Sequence, residues 1–269
     1  MTTRKRKLWN ILKIIIIIYC SIGIALFYLQ EKFIFYPEKI DKNYTYIFDA
    51  RFKENNIAVN KEDTINVLTF FTDKTRKGVV LYFHGNRKNV EHYYLQMKQF
   101  TLRGYDVCMP DYPGYGKSTG IRSEDKLYQQ AMLVYNFIAS QYQRDSIVIF
   151  GKSLGTCMAA YVASRTICKK LILETPYYSM TDLFKHYAPV YPVTKMAAYK
   201  LPLYSFLADV NCKKIIIHGT KDEVIPYNQS YKLKEFFKQG DEFITVKGGK
   251  HNGLAGTKEF QNMLDKELN

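Results

Sequence analysis

Ile147-Val148-Ile149-Phe150-Gly151-Lys152-Ser153-Leu154-Gly155 is the stretch whose reading decides the fold. Three β-branched residues and a phenylalanine in succession predict a strand buried on both faces. The apolar, alanine-containing stretch after it, Leu154 to Arg165, predicts a helix. Between them lies G-x-S-x-G, a pattern that chance also produces; strand before and helix after give it meaning. So tight a turn forces Ser153 into a strained backbone conformation, and only small residues two positions away on either side clear the crossing chain. Gly151 and Gly155 meet that need. The helix opening at Leu154 aims backbone N–H groups at any negative charge that develops beside Ser153.

A serine hydroxyl is a weak nucleophile until a base takes its proton. Five histidines are available: His84, His92, His186, His218 and His251. His251 lies in Gly248-Gly249-Lys250-His251-Asn252, a flexible turn after the last strand, and is the candidate base. His84 and His218 each precede a glycine at a strand end and read as loop-shaping residues. The acid that orients an imidazole belongs after the penultimate strand, where Asp222 sits in Gly219-Thr220-Lys221-Asp222-Glu223-Val224. Glu223 and Glu174 are its competitors. An oxyanion needs two backbone donors: Leu154 N–H supplies one, and Asn86 N–H, in the turn Phe83-His84-Gly85-Asn86, is the expected second. Asp111, in Asp111-Tyr112-Pro113-Gly114-Tyr115-Gly116, reads as scaffold.

Outward from this centre, apolar runs alternate with helical stretches, the order of an α/β fold with a mostly parallel eight-stranded sheet flanked by helices. The expected strands are Tyr44–Asp49, Ile65–Phe71, Val79–His84, Asp106–Asp111, Ile147–Lys152, Leu171–Glu174, Ile215–Gly219 and Glu242–Val246. Helices are expected over Val90–Arg103, Ser123–Tyr142, Leu154–Arg165, Asn228–Gln239 and about Thr257–Leu268. No helix separates the first two strands, which predicts an antiparallel edge.

The formal charge is +14, and Arg4, Lys5, Arg6, Lys7 and Lys13 supply five positive charges before any acid appears. A basic balance favours anionic surfaces. No nucleic-acid-binding pattern accompanies it, so lipid headgroups are the expected partner and nucleic acid is not. From Leu8 to Leu29 the chain is almost wholly apolar, and 22 helical residues at ~1.5 Å each cross a hydrocarbon core of ~30 Å. The domain division is then residues 1–30, a basic tail and membrane anchor, and residues 31–269, one catalytic domain. The positive-inside rule places the N-terminus in the cytoplasm and the domain on the outer side. The alternative is a signal peptide cleaved near Gly23-Ile24-Ala25, giving a secreted protein. Phe33-Ile34-Phe35-Tyr36-Pro37 suits either the headgroup level or packing on the domain.

Cys20, Cys108, Cys157, Cys168 and Cys212 are odd in number and irregular in spacing. They read as isolated buried thiols, and no Cys or His pair has ligand spacing, so no metal and no cofactor are expected. Between Glu174 and Ile215 lies a small cap, about residues 177–209, dense in aromatic residues. Its rings either line an acyl-chain or lipid-like site or pack the cap on the sheet.

Taken in order, FHGN, DYPGYGKS, GKSLG, HGTKDEVIP and GGKHN resemble the α/β-hydrolase superfamily. The nearer similarity is to its BEM46-like branch, with the ABHD13- and ABHD17-type hydrolases, grouped with serine aminopeptidase S33-like sequences. The resemblance runs from about residue 30 to the C-terminus. It implies a serine hydrolase cleaving carboxylic esters or thioesters of amphipathic or acylated substrates, with Ser153, Asp222 and His251 as triad. A serine peptidase of the same fold, or a non-catalytic binding module, remains as an alternative. One departure stands out: HGN continues here with Arg87, Lys88 and Asn89, bulk and charge where small residues are usual.

Overall fold

A computed structural model describes residues 3–269 of the chain. Eight strands build one sheet: β1 (Phe52–Ala58), β2 (Thr64–Phe70), β3 (Gly78–Phe83), β4 (Tyr105–Pro110), β5 (Ile147–Lys152), β6 (Lys170–Glu174), β7 (Lys213–Gly219) and β8 (Glu242–Val246). Their spatial order is β8-β7-β6-β5-β3-β4-β2-β1. Only β2 runs against its neighbours; every other pairing is parallel. The strand before Ser153 thus has two parallel neighbours on either side, and all six residues of β5 are buried. Apolar side chains on alternate faces feed two separate cores, one around Ile147, Ile149 and Cys157, the other around Val148, Phe150 and Phe260.

The first expected strand is wrong. Tyr44–Asp49 is irregular, and Phe52–Ala58 takes the edge position instead. A five-residue turn explains the choice: Val59 N–H bonds Asp63 O at 2.8 Å and Glu62 N–H bonds the Asn60 side chain at 2.8 Å. That local closure zips Phe52–Ala58 onto Thr64–Phe70 at little entropic cost. Its polar run, Lys53-Glu54-Asn55-Asn56, is what an edge strand facing water carries. The aromatic segment passed over instead covers the sheet with its rings: Phe48 lies 5.2 Å from Phe70 and 4.8 Å from Tyr94. The antiparallel edge itself stands, with a different first strand.

Helix α1 (Thr3–Ile34) is long and apolar enough to cross a membrane by length and composition. It runs on past residue 30, and Ile34 and Phe35 are buried in the domain while Phe33 and Tyr36 stay about half exposed. The aromatic patch is therefore split between core and surface. Helix α2 (Glu124–Ala139) starts at an N-cap Ser123, whose hydroxyl accepts from Lys126 N–H at 3.2 Å. Helix α3 (Gly155–Ala163) follows Ser153, and α5 (Lys258–Leu268) closes the chain, with α4 (Met180–Tyr187) between them in the cap. The regions 90–103 and 228–239 break into short α and 3-10 turns rather than the single helices expected.

Cys168 and Cys212 are not isolated thiols: their sulfur atoms lie 2.9 Å apart, brought together by the parallel pairing of β6 with β7. Beside them Lys214, fully buried, meets Asp241 Oδ2 at 2.7 Å. Asp241 also accepts from Lys214 N–H and Lys238 N–H, both at 2.7 Å. Removing one partner of such a pair leaves an uncompensated buried charge. Asp241→Ala should therefore cost about 3–5 kcal/mol of stability, read as a lower urea midpoint with little change in slope.

Candidate active site

Ser153 has φ of +49°, in the left-handed region that a non-glycine residue adopts only under constraint. The constraint is the crossing of β5 with α3. A Cβ on Gly151 would meet Gly155 O and Thr156 Cα at 2.7 Å, and one on Gly155 would collide with the Phe83 carbonyl. The turn is fastened on both sides: Ser153 N–H donates to Glu174 O at 2.9 Å, and the Thr156 hydroxyl donates to Ser153 O at 2.6 Å. Gly155→Val should therefore abolish soluble folded protein, whereas Ser153→Ala should fold normally; circular dichroism of both separates the outcomes.

The loops after β7 and β8 converge on this turn because Gly219 and Gly249 pack backbone to backbone; a Cβ on Gly219 would strike the Gly249 carbonyl. Lys221 N–H donates to Gly249 O at 2.9 Å and locks the two loops together. The result brings Ser153, His251 and Asp222 into line. Ser153 Oγ lies 3.1 Å from His251 Nε2, and His251 Nδ1 lies 2.8 Å from Asp222 Oδ2. With Nδ1 donating to the carboxylate, Nε2 is left free to accept from the hydroxyl, the tautomer a base requires. All three residues are buried, with Ser153 and His251 each 7% exposed.

Asp222 is held by more than His251. Its Oδ1 accepts from Val224 N–H at 2.9 Å and Ile225 N–H at 2.8 Å, and His218 Nε2 stands 3.1 Å from Oδ2. Burial opposes the charged form, but the hydrogen bonds from His218 and His251 outweigh it and hold the carboxyl well below the usual carboxylate range. His218, read from sequence as loop-shaping, is thus also a second support for the acid. Only the strand-end position of the Ile217-His218-Gly219 run hinted at that.

The sign of the pH dependence follows. A carboxyl with a depressed folded pKa contributes stability that is full above its unfolded pKa of about 3.9. That contribution is lost as pH falls toward the folded value. Asp222→Asn should therefore flatten the acid side of the stability–pH curve below about pH 4, as measured by thermal melts across pH.

The competing acids lie elsewhere. Glu174 is buried against Lys152 in an ion pair beneath the turn, and Glu223 is exposed. Asp111 is fully buried, accepts from Val90 N–H at 2.9 Å and faces His84 Nε2 at 3.3 Å. Burial raises its pKa, and the hydrogen bond from His84 pulls it back down in part. Asp111 and His84 together brace the turn that carries Asn86: His84 Nδ1 donates to Gly85 O at 2.7 Å, and Tyr112 OH donates to His84 O at 2.7 Å.

Asn86 and Leu154 both line the cavity that opens on Ser153. Neither backbone N–H donates to another group among the described residues. Arg87 and Lys88, suspected of crowding this turn, point outward: Arg87 lies over the Tyr36 ring and Lys88 meets Glu38 at 3.5 Å. The pair Tyr36–Pro37 runs parallel to them as a two-residue bridge.

The cavity, ≈ 380 Å³ in volume, is apolar on most sides. Tyr177, Met180, Phe184 and Tyr187 of the cap form one wall, and Leu26, Phe33 and Ile34 of α1 form another. Other cap rings pack rather than line: Tyr178 stacks on Tyr204 at 4.6 Å, and Tyr199 meets Phe35 at 4.9 Å. The cap rings thus divide, some lining the cavity and others packing on neighbouring elements. Among the described residues no group of three His, Cys, Asp or Glu side chains is arranged to hold a metal ion. A hydroxyl, an imidazole and a carboxylate in this order can pass one proton and form one covalent bond to an electrophilic carbon.

Fold and sequence agree on the class of protein. The fold is that of the α/β-hydrolases. Residues 74–205 match the serine aminopeptidase S33 family, and the sequence is similar to ABHD17-type α/β-hydrolases. α/β-Hydrolase domain-containing protein 17C of Xenopus tropicalis is 29% identical over 184 residues, covering 65% of this chain and 56% of that protein. An uncharacterized protein of Acanthamoeba polyphaga mimivirus is 26% identical over 217 residues, 71% of each chain. The chain thus spans little more than half the length of the Xenopus relative. Among solved structures, an esterase of Pyrococcus furiosus superposes with a TM-score of 0.68 at 15% identity, over 87% of this chain and all of that one. At that identity the likeness is one of fold.

Proposed function

We propose that this chain is a serine hydrolase that cleaves carboxylic ester or thioester bonds through an acyl-enzyme on Ser153. The observation that carries the reading is the hydrogen-bonded line Ser153–His251–Asp222 opening onto an apolar cavity beside two free backbone donors. His251 Nε2 takes the Oγ proton as Oγ bonds the substrate carbonyl carbon. The oxygen of that carbonyl gathers negative charge, which Asn86 N–H and Leu154 N–H stabilise together with the N-terminus of α3. The imidazolium, its charge balanced by Asp222, returns the proton to the leaving alcohol or thiol. Water then repeats the sequence on the acyl-enzyme, with His251 as base, and Ser153 is regenerated.

Apolar lining suits the acyl half of an amphipathic or acylated substrate. Among the described residues no carboxylate lines the cavity to hold a substrate ammonium, which favours esters and thioesters over an N-terminal peptide. In this reading residues 1–30 anchor the protein and residues 31–269 form the hydrolase domain. The basic residues before the apolar run favour a cytoplasmic N-terminus with the domain on the outer side of the membrane.

Labelling with a fluorophosphonate probe tests the nucleophile: native protein should label, and Ser153→Ala should not. Asp222→Asn should lower turnover of a p-nitrophenyl ester by about 10⁴-fold, the cost of a misheld imidazole tautomer. Equal labelling of native protein and Ser153→Ala would reject the proposal.

A further inference from the structure

Helix α1 and the cap touch where an anchor crossing a bilayer leaves no aqueous room for a contact. Tyr19 stacks on Tyr191 with ring centres 4.7 Å apart, Tyr19 OH donates to Val190 O at 3.0 Å, and Tyr191 OH donates to Tyr19 O at 3.1 Å. A turn later, the Tyr191 ring comes so close to Gly23 that a Cβ there would meet it at 3.1 Å. Near the end of the helix, Gln30 Oε1 accepts from Ala198 N–H at 2.7 Å and Gln30 Nε2 donates to Met196 O at 3.3 Å. The cap segment from Ala198 back to Val190 therefore runs alongside the helix for eleven residues, about 16 Å at ~1.5 Å per residue.

A span needs ~20 apolar residues, and Leu8 to Leu29 is the only stretch of α1 that supplies them. If the hydrocarbon ended before the cap, at Tyr19, only Leu8 to Ile18 would remain, about 16 Å of helix against a core of ~30 Å. The helix cannot both span and keep the cap in water. The exposed residues of the cap fit the wetter side of that conflict poorly: Val190 is 69% exposed and Tyr187 is 56% exposed. Lys195, exposed on the same segment, and Lys185, exposed on α4 just before it, have stems long enough to lift their ammonium groups to the headgroups.

We propose that the cap segment Ala188–Met196 lies within the lipid leaflet beside α1, and that the Ser153 cavity takes acyl chains laterally from that leaflet. Ala188, Val193 and Met196 of the submerged segment line the cavity together with Leu26 and Phe33 of the helix. The anchor is thus one wall of the binding site, and its mouth faces hydrocarbon. An acyl chain passes from leaflet to cavity without crossing water, while its ester or thioester group, at the interface, reaches Ser153. Lateral entry rests on the hydrolase reading of Ser153; the depth of the cap rests on the anchor reading of residues 1–30 alone.

The test uses the full chain in phosphatidylcholine nanodiscs. Trp9 is the one tryptophan, so Trp9→Phe/Val190→Trp places a single emitter at the cap tip. Lipids brominated along the acyl chain should quench it strongly and shift its emission to the blue. Trp9→Phe/Ile167→Trp, at the opposite, amino-terminal end of the strands, should stay unquenched. An unquenched emitter at position 190 would overturn the placement. In parallel, Val190→Asp should leave turnover of water-soluble p-nitrophenyl acetate unchanged while slowing a vesicle-borne long-chain acyl thioester by about tenfold or more, since a carboxylate resists entry into hydrocarbon. An equal effect on both substrates would overturn lateral entry. Should native protein hydrolyse neither, the Ser153 reading fails, and the quenching result still judges the cap.

Discussion

The backbone strain at Ser153 is the constraint on which the rest of the molecule depends. A residue held at φ +49° costs about 1–3 kcal/mol, and it persists only where its surroundings allow no other path. Here helix α3 passes so close to strand β5 and to the end of β3 that neither Gly151 nor Gly155 has room for a Cβ. The hydrogen bonds from Ser153 N–H to Glu174 O and from Thr156 to Ser153 O return about 1 kcal/mol each. The central place of β5 in the sheet follows from the same need. A strained turn is rigid only when the strand leading into it is paired on both sides, as β5 is with β3 and β6.

Around the turn, buried charge is settled pair by pair. Three carboxylates lie near the carboxyl ends of the strands, and each has its own cation or imidazole: Glu174 with Lys152, Asp111 with His84, Asp222 with His251 and His218. A buried carboxylate without a partner is costly, so these assignments are mutually exclusive. Glu174 cannot serve His251 while it neutralises Lys152. Of these three, Asp222 is the carboxylate with a partner, His251, that faces the Ser153 hydroxyl, which is why the geometry singles it out.

Much of this was legible in the amino-acid order. Runs such as Ile147–Phe150 and Ile215–Ile217 are buried on both faces, so a local pattern suffices to find them. The edge strand Phe52–Ala58 was not, because half of it faces water and its pairing is decided by the turn at Asn60–Asp63. Tyr44–Phe48 had the stronger strand composition and lost to that closure. The meeting of Cys168 with Cys212 depends on two strands 44 residues apart becoming neighbours, which spacing along the chain does not reveal. The candidate nucleophile, base and acid were each visible because each follows a recognisable strand. The second imidazole on Asp222 was not, since His218 sits in the same run that identified the strand.

Least legible of all was the part played by the N-terminal helix. A hydrophobic stretch ahead of a domain reads as a tether, and a tether acts only by raising the local concentration of a substrate at the membrane. The structure gives this one a more intimate connection. Asn86 Nδ2 donates to Ile34 O at 2.8 Å, and Asn86 O accepts from Tyr36 N–H at 2.9 Å. Asn86, which lines the Ser153 cavity, is therefore fixed by the last turn of the helix and the first residues after it. Buried Phe35, against Tyr199 and beneath Arg122, keeps that junction from pivoting. Catalytic groups misplaced by about 1 Å lose rate by orders of magnitude. Wherever the helix is held, the turn that carries Asn86 is held with it, so the placing of the helix and the alignment of the site become one mechanical property of the chain.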